Sequence, residues 1–249
     1  MAIKSILVSQ PKPEGEKSPY FDLSGKYKIK IDFRPFIKVE GVDGKEFRAQ
    51  KVTLSEHTAV ILTSKLAADH FFRIAEETRF EVPDTMKYFC ISEAIALYLQ
   101  KYVPFRKRKI FFGKQTIDEL ADVMKKHKNE KFLLPCTDIL RDNIPITLEK
   151  QGFKFTKVVL YKTVAADLSD LQDVYYDMLV FFSPGGIESL FKNFPDFKQN
   201  ETIIAAFGAT TGNAVVKHNL RLDVHAPHPK ATSMVGAIEL FIKEQSKKK

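Results

Sequence analysis

The chain has 249 residues, 44% of them hydrophobic, which is enough for one large core or two modest ones, and two domains are expected. Its cysteines, Cys90 and Cys136, are far apart, which excludes a disulfide framework and a Cys-rich zinc site and leaves them as buried small hydrophobes. The formal net charge of +8 fits a lysine-rich surface or an anionic ligand. Nucleic acid is disfavoured, because the phenylalanines sit inside strand-like apolar runs instead of interleaving with the basic stretch Arg106 to Lys109.

Neither end shows a basic stretch followed by an apolar run, and no segment approaches the roughly 20 apolar residues that span a bilayer. A soluble, cytoplasmic, membrane-free protein is therefore expected. Along the chain, Ile6 to Gln10 reads as a first strand, followed by a stretch over 11–25 so rich in proline and glycine that it supports at most a short helix. Strand-like runs recur at Lys28 to Arg34, Ala59 to Ser64, Tyr88 to Ile91, Lys109 to Phe112, Phe132 to Leu134, Met178 to Ser183 and Ile203 to Phe207. Helical patterns follow most of them. Short, continuously apolar runs of this kind belong to parallel strands covered on both faces.

The runs repeat, and the repeat is interleaved. The segment around Ser64 matches that around Ser183, Ser92-Glu93 matches Thr210-Thr211, and Lys114 with Thr116 matches Lys230 with Thr232. Ile6 to Gln10 instead resembles the later Phe132 to Cys136, and Lys28 to Arg34 resembles Lys154 to Leu160. The simplest account places residues 1–37 and 167–249 in one α/β domain and inserts a rearranged copy over 43–156. The crossing segments 36–42 and 157–166, β-branched and extended, then pair as a two-stranded connector. Five parallel strands per domain, with the first central, give two flavodoxin-like doubly wound sheets, whose ligands bind beyond the carboxyl ends of the strands.

At those ends stand Ser9, Thr63, Ser64, Ser92, Thr137, Ser183 to Gly186 and Gly208 to Thr211. Serine and threonine there are ordinary helix caps. Helix starts also attract anions, by about 0.3–1 kcal/mol per charge, so two such edges facing each other would suit a polycarboxylate. The pairing of Ser183-Pro184-Gly185-Gly186 with Gly208-Ala209-Thr210-Thr211 on successive strands singles these loops out, since glycine lets a ligand approach the backbone. No G-x-G-x-x-G, no phosphate-binding loop and no G-x-S-x-G elbow occurs. His225 and His228 lack a third ligand at metal spacing, while His57 and His70 read as solvated or packed side chains. Neither metal nor cofactor is expected. Tyr161 stands out in the second crossing segment.

VLYKT at 159–163, FFSPGGIESL at 181–190 and the long stretch from Ala205 to Ile238 resemble the uroporphyrinogen-III synthase family, and with AVILTS and LLPCTD the likeness covers nearly the whole chain. The resemblance implies a cofactor-free lyase of tetrapyrrole (haem) biosynthesis. Its substrate would be hydroxymethylbilane, a linear tetrapyrrole with eight carboxylates, closed to uroporphyrinogen III with ring D inverted through a spiro intermediate. It further implies that Tyr161 protonates or orients the departing hydroxyl, with an ordinary phenol pKa near 10. Ser183, Pro184, Gly185, Gly186, Gly208, Thr210 and Thr211 would hold carboxylates on the first domain. Thr63, Ser64 and Lys65 would do so on the inserted one, with Ser9 and Lys12 contributing, in a protein acting as a monomer.

Two departures separate the chain from the family. The segment after Ser9 is irregular, and Cys90-Ile91-Ser92-Glu93 stands where a glycine-threonine turn is expected. Glu93 would repel a polycarboxylate if it faced one. A non-catalytic member that binds tetrapyrrole or another anion is the alternative reading.

Overall fold

The computed structural model describes residues 3–15, 17–139, 143–172 and 174–247. In chain order, β1 (Ser5–Val8), α1 (Pro19–Tyr27), β2 (Lys30–Phe33), β3 (Ile37–Gly41) and α2 (Gly44–Ala49) come first. Then follow β4 (Ala59–Leu62), α3 (Lys65–Glu77), β5 (Lys87–Cys90), α4 (Glu93–Tyr98), β6 (Ile110–Phe112) and α5 (Ile117–Met124). Next are β7 (Phe132–Thr137), α6 (Asn143–Lys150), β8 (Phe155–Ala165), β9 (Met178–Phe181) and α7 (Pro184–Asn193). The chain closes with β10 (Ile203–Phe207), α8 (Ala209–Lys217), β11 (Val224–Ala226) and α9 (Met234–Lys247).

The chain divides into two compact units, residues 1–38 with 164–249, and residues 39–163. The first contains a five-stranded sheet ordered β11-β10-β9-β1-β2, with parallel pairing throughout. Strand β1 is internal, but β9 takes the middle place that the sequence reading gave to the first strand. Successive residues of a strand point to opposite faces. Ile6, Val8, Met178, Val180 and Ala205 accordingly pack under α1 and α9, while Leu7, Leu179, Phe181 and Ile204 pack under α7 and α8. Burial on both faces is why these runs are apolar without alternation.

The second unit's sheet is ordered β3-β8-β7-β4-β5-β6, and each pairing from β8 to β6 is parallel. Val60, Leu62, Tyr88, Cys90 and Leu133 bury against α2, α3 and α4, whereas Ala59, Ile61, Phe89, Phe132 and Leu134 bury against α5 and α6. Cys90 and Cys136 are free and buried, as their spacing implied. Where the sequence reading ends the inserted copy at 156, β8 runs on unbroken, because residues 155–161 are apolar or β-branched enough to pair with β7 through Thr137 opposite Tyr161. A register shift between Cys136 and Thr137 accompanies that last pair. The segment after Ser9 does fold into a short helix, α1, capped by Ser18 with Pro19 in its first turn.

Candidate functional site

In the first unit the polar groups gather at the carboxyl ends of β1, β9 and β10. The Ser9 amide donates to Val180 O at 2.9 Å, fixing the turn after β1. Ser183 caps α7, its Oγ accepting from the Gly186 amide at 3.3 Å, and Pro184 occupies a position whose N–H has no helical partner to lose. A Cβ on Gly186 would lie 3.2 Å from Phe181 Cδ1, so glycine there lets α7 begin close on its strand. Gly185 is different: a Cβ would make only an ordinary contact, 3.5 Å to Ile37 Cγ2, and packing does not demand glycine.

Gly208 caps α8 with φ +83° and ψ 153°, a region open in practice only to glycine, although a Cβ would meet open space. Gly208→Ala is therefore expected to cost about 1–3 kcal/mol through backbone strain alone, measurable by denaturant unfolding. A cost below about half a kcal/mol would show that the turn relaxes freely. Beyond it Thr210 is exposed, but Thr211 is only 1% exposed. Neighbouring helical residues point about 100° apart, so the Thr211 side chain turns inward while that of Thr210 faces solvent. Two helix starts, those of α7 and α8, thus follow adjacent strands, with the Gly186 amide at α7 already taken by Ser183.

Lys12 is exposed, its ammonium 5.9 Å from the Phe21 ring centre, and it borders a depression of about 390 Å³ with Asp32, Arg34 and Asp170. Arg34 pairs with Asp170 at 2.8 Å and Tyr176 donates to Asp32 at 2.8 Å. Those acids offset the charges of Lys12 and Arg34.

In the second unit Ser64 caps α3, accepting from the Ala67 amide at 3.0 Å, and its Oγ lies 3.3 Å from the Tyr161 hydroxyl. Thr63 is half-buried on the turn before it. Lys65 is exposed at the first helical position, its ammonium 5.2 Å from the Tyr98 ring centre. Tyr98 in turn donates to Asp69, which holds that ring in place. Glu93 stands exposed at the first position of α4, beyond β5.

Tyr161, which the sequence reading placed in the crossing segment 157–166, is 8% exposed and belongs to the same unit as Thr63, Ser64 and Lys65. Burial pushes its phenol above the ordinary value, and the Ser64 hydrogen bond offsets this in part. The hydroxyl is a protonated hydrogen-bond donor at neutral pH and a weaker acid than an unperturbed phenol. His70 stacks on it, ring centres 5.0 Å apart and planes 18° from parallel. Burial, then the Arg73 charge, holds His70 below the usual imidazole range. The pairing of Ser64 with Tyr161 and the stack with His70 were missed in the sequence, since 97 residues separate the two hydroxyls and no local pattern links them. Among the described residues no cluster of three or more His, Cys, Asp or Glu is placed to hold a metal, and no helix is long and apolar enough to cross a membrane.

Strand order and loop chemistry define the class: a parallel α/β protein whose hydroxyls, glycines and helix starts collect where its strands end. The family described as uroporphyrinogen-III synthase HemD matches residues 23–236, and the chain belongs to that family. A curated relative, uroporphyrinogen-III synthase of Saccharomyces cerevisiae, is 30% identical over 139 residues, and the match spans half of this chain and half of the relative's length. The crystal structure of uroporphyrinogen-III synthetase from Helicobacter pylori shares the fold, with a TM-score of 0.56 at 16% identity, covering 97% of this chain and 100% of that one.

Proposed function

We propose that this protein is a uroporphyrinogen-III synthase, a lyase that closes hydroxymethylbilane to uroporphyrinogen III in tetrapyrrole (haem) biosynthesis. The family match over residues 23–236 is the observation that carries this reading. The finer architecture we propose is two flavodoxin-like domains joined by a two-stranded connector formed by β3 and β8, in a cytoplasmic monomer without a cofactor. The chemistry at the strand ends agrees with the reading. A buried, protonated tyrosine suits hydrogen-bond donation to a leaving hydroxyl. Helix starts with free amides suit carboxylates.

In this reading the Tyr161 hydroxyl donates its proton, or a hydrogen bond, to the terminal hydroxyl of the substrate, which leaves as water and gives an azafulvene cation. Ring closure at the substituted carbon of ring D yields the spiro intermediate, whose reopening and reclosure invert that ring. Closure without inversion needs no enzyme, so the protein's contribution is mainly conformational: it holds the chain where the inverted product forms. Thr210, Ser183 and the Gly185 amide are the carboxylate-binding groups of the unit formed by 1–38 and 164–249, and Lys65 with the α3 start are those of the unit 39–163.

A coupled assay with hydroxymethylbilane that separates the type III from the type I product tests the reading. Type III product should dominate. Only type I product at the uncatalysed rate would leave the non-catalytic tetrapyrrole-binding alternative, which the exposed Glu93 favours. In the same series, Thr210→Ala is expected to weaken product binding about tenfold, the loss of one hydrogen bond to a charged group. It would be read as reduced product-induced thermal stabilisation, and an unchanged shift would remove Thr210 from the binding set.

A further inference from the structure

We infer that helix α3 is the positioning element for Tyr161, and that His70 and Arg73 are its positioning residues. The inference rests on the proposed role of Tyr161 and extends it to residues with no assigned part. Two contacts from one helix reach the tyrosine's hydroxyl and ring, and a third reaches the residue before it. Ser64, the helix cap, meets the hydroxyl at 3.3 Å. His70 lies against the ring at 5.0 Å, nearly parallel to it. Arg73 donates to the carbonyl of Leu160, the residue just before Tyr161, at 3.3 Å, and to Val42 O at 2.6 Å.

The clamp is internally braced. Arg73 Nε donates to His70 Nδ1 at 3.2 Å, which leaves the imidazole proton on Nε2. A second proton on Nδ1 would oppose a donor and a positive charge, so the ring facing Tyr161 is the neutral one. On its other side Arg73 pairs with Glu77 at 2.8 Å, and Glu77 accepts from the Gly44 amide at 2.6 Å, anchoring the guanidinium to the start of α2. Gly41 completes the arrangement: a Cβ there would lie 2.8 Å from Arg73 Cζ, so any larger residue at the end of β3 would require the guanidinium to shift.

A residue that fixes the geometry of a proton donor affects turnover more than substrate binding, because a displacement of about 1 Å at a reacting group costs on the order of 100-fold. His70→Ala in the full chain is therefore expected to lower kcat by about 10- to 100-fold with KM nearly unchanged. His70→Phe, which keeps a ring against Tyr161, should recover most of that loss. Two-dimensional NMR of the unmodified chain should show His70 as the Nε2–H tautomer, and His70→Ala should shift the Tyr161 ring resonances while leaving those of unit 1–38 with 164–249 in place.

The inference is overturned if a folded His70→Ala variant keeps its kcat, or if His70→Phe is as slow as His70→Ala, which would assign His70 a chemical role. Should the unmodified chain give only type I product, the proposed function fails by itself, and the NMR readouts still judge the clamp. An unmoved Tyr161 ring would then sink it.

Discussion

Tyr161→Phe is expected to lower turnover by about 100-fold or more, the usual contribution of a positioned proton donor, while leaving the fold nearly as stable. The two effects separate because of where the hydroxyl sits. The ring is packed in the core of unit 39–163 and against His70, and phenylalanine keeps that packing. The lost partner, Ser64 Oγ, still accepts the Ala67 amide, so no buried polar group is orphaned and the stability cost should stay within about 1 kcal/mol. Initial rates of type III product and a denaturant melt on the same preparation measure both. Turnover within a few-fold of the unmodified enzyme would remove the proton-donor role. Because burial raises the Tyr161 pKa, its titration should not shape the rate between pH 6 and 9: the protonated form persists past the ordinary phenol value of about 10. A tyrosine-dependent fall in rate inside that window would contradict the burial seen here.

The largest effect on stability is expected from Phe89→Ala, at about 3–5 kcal/mol. Phe89 is 0% exposed on β5 and its ring centre lies 5.0 Å from Phe111, 5.3 Å from Phe132 and 5.3 Å from His127. Alanine would leave a cavity lined by rings that cannot collapse onto it, since each is held by its own strand or helix. Whole proteins are stable by only about 5–15 kcal/mol, so this substitution brings the unit from 39 to 163 close to unfolding without touching any ligand-binding group. Paired urea melts give the difference, and Phe89→Leu should cost distinctly less because it fills much of the same space. A cost below about 1 kcal/mol for Phe89→Ala would mean that the cluster under α5 is loosely packed.

Much of the architecture could be read before any coordinate was known. The unbroken apolar runs AVILTS and MLVFFS announced strands buried on both faces, and the matches around Ser64 and Ser183 announced equivalent strand ends. Those two serines do cap equivalent helices, α3 and α7. Cap residues are legible because their effect is local: a serine before a helical run meets an amide three residues on.

The adjacent threonines at 210 and 211 show where such reading stops. Both occupy one turn motif, yet the helix rotates one outward and the other into the core, and only the packing of α8 on β10 sets that angle. Gly208 likewise reads as a turn glycine, whereas its value of φ belongs to the geometry of entry into α8. The pKa of Tyr161 depends on burial among residues distant in sequence, and the same holds for its pairing with Ser64.

The amino-acid sequence by itself determined the parallel strands, the interleaved repeat and the polar strand ends, because hydrophobic period, caps and turns are set by neighbours within a few residues. Tertiary structure alone decided which hydroxyls meet. Ser64, His70, Arg73 and Tyr161 come together because α3 packs over β7, the strand beside β8, and contacts between residues far apart in the chain depend on how elements pack, a quantity no local pattern encodes.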